Sequence, residues 1–404
     1  MSTVISPFAG LSPQSADALL KLIATHRADR RPDKIDVGVG VYRDEAGQTP
    51  VMRAVKAAEA RLVTEQATKA YLGADGDMRF TELLADIVFG ADREEPRRFG
   101  LQTPGGTGAL RLGAELIARA APGTRVWMGE PTWPNHMPIF VEAGLEAVAY
   151  PYFDAATGGI AFDAMMGALS EARPGDILLL HGCCHNPTGT EFSREAWQAL
   201  ASLCNARGLT PFVDLAYQGL GDGLEQDAIG MRSLLEAVSG ALVAYSCDKN
   251  FGLYRERVGA LWIQAPTPAL TEVARTNVLA LSRSLWSMPP DHGAAIVRTI
   301  LDDPVLAGEW RDELAAMRNR LNEMRTALAA THPALAPIAR QRGLFSLLPV
   351  ELDAVTEMRA THGIYMPADA RLNIAGLNQA NLARFVDALF PHLVSRRSKT
   401  DDRP

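Results

Sequence analysis

The chain reads as an α/β protein: a mainly parallel sheet covered by helices, joined to a second, smaller α/β unit. Three observations point there. Short apolar or β-branched runs alternate with amphipathic segments of helical period over most of the length. Several of those runs are apolar at most positions with no polar alternation, as strands buried on both faces are. From about residue 303 a long helical pattern carries little strand signal, and the C-terminal remainder reads as a separate small unit. With 404 residues, 47% of them hydrophobic, the chain can bury a full core without disulfide or metal staples.

In chain order, KIDVGVGVY (34–42) reads as a strand and VMRAVKAAEARLV (51–63) as an amphipathic helix. A glycine-rich turn precedes the helix ALRLGAELIARA (109–120), and RVWMG (125–129) is the next strand. DILLLHG (176–182), LTPFVDLA (209–216) and ALVAYS (241–246) are doubly buried strands, with helices over 194–208 and 227–238 between them. A long helix is expected over 303–330 and a last one over NQANLARFVDALF (378–390), before a frayed tail at 396–404. Ligands of doubly wound sheets gather beyond the carboxyl ends of the strands, so the residues just after each strand are the ones to inspect.

Composition narrows the function. A net charge of −7 argues against nucleic acid or an anionic membrane as the main partner. No apolar run approaches the roughly 20 residues that span a bilayer. The opening MSTVISPFAGLSPQS lacks the charged and apolar regions of a secretion signal. Four cysteines, two of them adjacent (Cys183, Cys184), form no disulfide framework, and a cytoplasmic protein is expected. Of the 40 basic residues only six are Lys, and between Lys69 and Lys399 the sole lysine is Lys249. Arginine replaces lysine as a surface cation but not as a primary amine that attacks carbonyls. Lys249 is either that amine or a surface lysine kept by chance.

Three segments carry chemistry. TPGGTGALRLGAELI (103–117) sets glycines at a helix start, where free N–H groups bind phosphate and Thr107 adds a hydroxyl. It is neither a Walker loop nor GxGxxG, and a tight ligand-free turn is its plainer reading. HGCCHNPTG (181–189) resembles a metal cluster, but adjacent cysteines on an extended chain point to opposite faces. No second ligand pair stands beyond it at finger spacing, and Asn186-Pro187 reads as a turn that fixes an amide, so no metal is expected. FVDLAYQG (212–219) ends a buried strand with Asp214, with Tyr217 three residues on. A carboxylate there needs a partner, either a cationic ring nitrogen or the N–H groups of a helix it caps.

TPGGTGAL, PTWPNH, HGCCHNPTG, DLAYQG, KNFGLYRERVG and RLNIAG stand in the order and at roughly the spacing of the class I aspartate and aromatic amino-acid aminotransferases. The chain resembles that family from about Lys34 to its last helix. The resemblance implies a fold-type I scaffold, with a seven-stranded, mainly parallel sheet in a large domain over 47–315. A small domain would combine 1–46 with 316–404. It also implies pyridoxal 5′-phosphate (PLP) as cofactor and a homodimer with shared active sites. Lys249 would form the Schiff base with the cofactor and then carry the proton between substrate and cofactor. Asp214 would pair with the pyridine N–H, buttressed by His136, while Tyr217 and Asn186 would donate to the phenolic oxygen and Trp133 would stack on the ring. Gly106, Thr107, Ser246 and Arg257 would hold the phosphate, with Tyr71 reaching over from the neighbouring subunit. Arg371 would take the substrate α-carboxylate as a bidentate pair beside Gly40, Trp133 and Asn186. Arg283 would bind a distal carboxylate, again from the partner chain.

Three positions depart from the family pattern. Asp248 stands before the lysine where Ser is usual, Gly105 stands where some members have Ser, and Met288 occupies SMPP where aspartate-selective members carry Asn. An apolar Met near Arg283 loosens the polar network around that guanidinium and favours an aromatic side chain. The expected reaction is a ping-pong transfer of the amino group of an aromatic amino acid, aspartate or both to 2-oxoglutarate. An aspartate-selective enzyme is the alternative. A PLP lyase or kynurenine-type enzyme needs no distal-carboxylate Arg. A non-catalytic regulator would need a DNA-binding module, and a nicotinamide dehydrogenase would need GxGxxG.

Overall fold

The structure, a computed structural model, describes residues 6, 8–13, 18–90 and 95–394; the expected tail at 396–404 lies outside them. Its strands are, in order, β1 (Ile35–Asp36), β2 (Arg98–Pro104), β3 (Arg125–Glu130), β4 (Glu146–Pro151), β5 (Phe153–Asp154) and β6 (Gly159–Ile160). They continue with β7 (Ile177–His181), β8 (Thr210–Leu215), β9 (Ala241–Ser246), β10 (Val258–Gln264), β11 (Phe345–Leu347), β12 (Ile364–Tyr365) and β13 (Arg371–Asn373).

Seven of these form one sheet in the order β2-β10-β9-β8-β7-β3-β4. β10 is antiparallel to both of its neighbours, and the other pairings are parallel. Side chains alternate along each strand, so a doubly buried strand feeds two cores. Phe212, Leu242 and Ala244 pack on one face with Leu110, Leu112 and Ile117 of the helix Gly105–Ala120. Val213, Leu215, Val243 and Tyr245 pack on the other face with Leu200 of Arg194–Arg207 and Leu234 of Gln226–Ala237. These are the helices expected over 194–208 and 227–238.

Both chain ends build a second layer. β1 pairs in parallel with β12, and β11 pairs antiparallel with β13. The helix Pro304–Ala329 links the two parts: Asp303 caps it, accepting from the Val305 and Leu306 N–H groups. Its Trp310 is fully buried, stacks on Phe251 at 4.4 Å and donates its indole N–H to the Asn250 carbonyl at 2.8 Å.

The structure corrects two expectations. The strand expected over 34–42 pairs only at Ile35–Asp36, because its glycines are used for close approach: a Cβ at Gly40 would sit 2.9 Å from the Phe345 ring. The helix expected from residue 109 begins at Gly105, so the glycines form its first turn instead of a loop before it.

Candidate active site

The sheet brings the expected residues to one edge. β7 ends at His181, β8 carries Asp214 directly opposite it, β9 ends at Ser246, and β2 runs into Gly105. β10 runs the other way, so Arg257, just before it, reaches the same edge. There the chain surrounds a cleft of about 280 Å³. Gly40, Gly106, Thr107, Trp133, Asn186, Asp214, Tyr217, Ser246, Lys249, Arg257 and Arg371 all line it, as does Asp248.

Asp214 is buried and lies 3.0 Å from His136 Nε2, whose Nδ1 is 2.8 Å from the Thr132 hydroxyl. Burial pushes the Asp214 carboxyl up, but the hydrogen bond and charge of His136, with His181 and Lys249, more than offset that, and it is held below its ordinary value. Lys249 Nζ lies 5.5 Å from the Tyr217 ring centre and 3.8 Å from Asp248. Burial lowers the Lys249 amine below the usual lysine value, although Asp248 and Asp214 oppose the shift. Burial raises the Tyr217 phenol, keeping it protonated. Tyr217 accepts from the Asn186 amide at 3.4 Å, and Asn186 accepts from Arg371 at 3.4 Å. Arg371 also donates to the Gly38 carbonyl at 3.2 Å, lies 4.5 Å over the Phe345 ring, and keeps a buried Nε without a hydrogen-bond partner.

At the other end of the cleft the first turn of Gly105–Ala120 meets Ser246 and Arg257. Gly105 has φ +70°, a conformation that favours glycine, and a Cβ there would lie 2.6 Å from the Arg257 guanidinium.

Tyr71 and Arg283 do not reach this cleft within the chain. They form a separate surface depression with Leu72, Ser287 and Met288, where Met288 Sδ accepts the Leu72 N–H at 3.1 Å and Arg283 donates to Ser287.

HGCCHNPTG departs from its sequence reading in one respect. Cys184 has φ +50°, so the two thiols do not point to opposite faces: with the Asp227 carboxylate they lie within 4.8 Å of one another. The Asp227 oxygens accept the backbone N–H groups of Gly219, Gly221, Asp222 and Gly223. Sequence reasoning passed over His181, which lines the cleft with a buried Nε2 that has no partner and which burial lowers to about 3. Its place as the last residue of a fully buried strand was the available signal. Phe345, under Arg371, gave none.

Residues 32–389 match the model of the class I and II aminotransferases. The chain is 51% identical to a tyrosine aminotransferase of Rhizobium meliloti (strain 1021), over 93% of this chain and 97% of that one. It is 41% identical to an aspartate aminotransferase of Salmonella typhi, over 95% and 99%. An aromatic-amino-acid aminotransferase from Burkholderia pseudomallei, solved covalently bound to pyridoxal phosphate, superposes with a TM-score of 0.92 at 37% identity, over 95% and 99%. The chain belongs to the class I and II aminotransferase family, is an aminotransferase on the fold-type I scaffold, and uses the family's cofactor, pyridoxal 5′-phosphate.

Proposed function

We propose that this aminotransferase takes the amino group from both aromatic amino acids and aspartate and passes it to 2-oxoglutarate in two half-reactions. Two arginines of different surroundings carry the reading. Arg371 is buried in the cleft with an unpartnered Nε, whereas Arg283 is exposed beside the thioether of Met288.

The donor set fits PLP. An anionic carboxylate at Asp214 suits a protonated ring nitrogen, and a lysine amine stands at mid-cleft. The first-turn N–H groups with Thr107, Ser246 and Arg257 suit a phosphate. When bound, PLP supplies an aldehyde that condenses with amines and a ring that accepts electrons from the substrate Cα. Asp214, held ionised by His136, would keep that ring protonated. Tyr217 and Asn186 would donate to the ring oxygen, and Trp133 would stack on the ring. The Lys249 amine, lowered by burial, would act as the general base for the substrate Cα proton and hand it back on the far side of the amino nitrogen. Arg371 grips the α-carboxylate with its fork beside Gly40, fixing the Cα–H bond relative to Lys249.

We further propose a homodimer in which Tyr71 and Arg283 serve the partner's cleft, Tyr71 at the phosphate and Arg283 at the substrate side chain. In support, Tyr71 is 89% exposed and Val63, Leu72 and Leu285 expose apolar surface in the same segments. Residues 47–315 then form the large domain, and 1–46 with 316–404 a small one; the pairing of β1 with β12 supports that division. Four free cysteines support a cytoplasmic site. Among the described residues no helix is long and apolar enough to cross a membrane.

The test tracks the cofactor's visible absorption after adding aspartate or phenylalanine alone. Loss of the band with each supports the dual pocket. Loss with aspartate only would make the enzyme aspartate-selective and Met288 mere packing.

A further inference from the structure

The phosphate end of the cleft holds a group with no obvious task there. Asp248 is buried, and its Oδ2 accepts from Arg257 Nη1, which also donates to the Tyr254 carbonyl at 3.0 Å. The other carboxylate oxygen, Oδ1, is buried without a hydrogen-bond partner. The Asp248 backbone N–H donates to Ser246 Oγ at 3.2 Å, which sets the residue beside a second member of the same cradle. Arg257 has φ +54°, and its guanidinium lies beside Gly105, where an added Cβ would be 2.6 Å from Nη2.

Asp248 occupies one nitrogen of the Arg257 guanidinium, Nη1, and so takes up a donor that a phosphate held in this cleft could otherwise use. We propose that Asp248 is a built-in counter-ion of the phosphate cradle, which competes with the cofactor's phosphate for Arg257 and thereby sets how tightly this enzyme holds PLP. The inference rests on the reading that this cradle binds the phosphate. A buried anion beside an arriving dianion repels it, and the interaction is little screened in a partly enclosed site. Asp248 therefore weakens the grip on phosphate, while its lesser proximity to Lys249, 3.8 Å, leaves the aldehyde end less affected.

Asp248→Asn keeps the shape and an acceptor for Arg257 but removes the charge, and Asp248→Ser restores the residue usual in the family. Equilibrium dialysis of the full-length protein against PLP, and separately against pyridoxal, which lacks the phosphate, reads the affinities. Both variants are expected to hold PLP at least about tenfold more tightly than the parent, or about 1.4 kcal/mol, with pyridoxal binding changed less than about twofold. Inorganic phosphate alone should raise their melting temperature more than the parent's. Equal or weaker PLP binding by both variants overturns the inference and leaves the aminotransferase reading intact. An equal gain for pyridoxal also overturns it, by assigning the effect to Lys249. If parent and variants all fail to retain PLP, the cradle reading itself falls.

Discussion

Replacing Arg371 by Lys separates the two arginines of the proposed site. Arg371 is fixed by Asn186 Oδ1 at 3.4 Å, Gly38 O at 3.2 Å and the Phe345 ring at 4.5 Å, with a buried Nε that has no hydrogen-bond partner. Lysine keeps the charge but offers one ammonium where the planar fork offered two parallel donors. One charge-assisted hydrogen bond contributes about 1.5–3 kcal/mol, so kcat/KM should fall about 10–150-fold. Because every amino acid carries an α-carboxylate, the loss should be equal for aspartate and phenylalanine. Arg283→Ala should behave differently, cutting kcat/KM for aspartate by a similar factor while leaving phenylalanine within about threefold. Steady-state kinetics with both donors, beside melting curves showing that the variants fold, makes the comparison. An Arg371→Lys enzyme that loses aspartate alone, or an Arg283→Ala enzyme that keeps its full preference for dicarboxylic substrates, would refute the assignment.

Three other perturbations have outcomes set by the same geometry. Asp214→Asn keeps a hydrogen-bond partner for His136 but removes the negative charge at the ring nitrogen, and should lower kcat by about 100–1,000-fold with little loss of stability; a fall under tenfold in stopped-flow half-reactions would count against the pairing. Trp310→Ala empties a fully buried site beside Phe251 and should cost about 3–5 kcal/mol in urea unfolding, while an exposed-residue cost below about 1 kcal/mol would show that the helix Pro304–Ala329 does not anchor there. Burial lowers His181 from 6.5 to about 3 and His185 well below its ordinary value. Both stay neutral in the fold and protonate when unfolded, so their contribution is complete above pH 6.5. It is lost on acidification at about 1.4 kcal/mol per pH unit for each histidine. His181→Gln should flatten the stability profile between pH 6 and 4 by roughly one proton's worth, which denaturant midpoints across that range would reveal.

The legible parts of the molecule are those with a local signature. β7, β8 and β9 each carry a mostly apolar run without polar alternation, so length and continuity identify them. β2 is invisible in the sequence because its stability is non-local: Gln102 is buried in it, accepting from the Asp77 N–H at 2.8 Å and donating to the Pro290 carbonyl at 2.7 Å. Neither partner can be inferred from the strand itself. The cleft residues are legible as motifs, since each comes just after a strand or turn with its own punctuation. How they engage one another is not. In sequence Asp248 could raise the lysine or face away; in three dimensions it does the former only in part, and its strong bond goes to Arg257. Met288 reads as a neighbour of Arg283 from a four-residue motif, and the two do line one depression.

The reversal of β10 explains why a single short stretch supplies so much of the cleft. Parallel strands bring to the ligand edge only the residues that come after them. Ser246 closes β9, and Asp248 and Lys249 come next, in accordance with that rule. Had β10 been parallel, Arg257 would sit at the opposite edge, away by the seven residues of the strand, roughly 20 Å. Running antiparallel instead, β10 begins beside Ser246, with Gly259 opposite it in register and Val258 opposite Pro104. The connection from β9 to β10 therefore leaves and returns at the same edge, and both of its ends point into one cleft. That geometry places a carboxylate, an amine and a guanidinium within reach of each other on a single short segment, so substitution of any one must be felt by the other two. Asp248, at the centre of the three, is where such coupling should be largest.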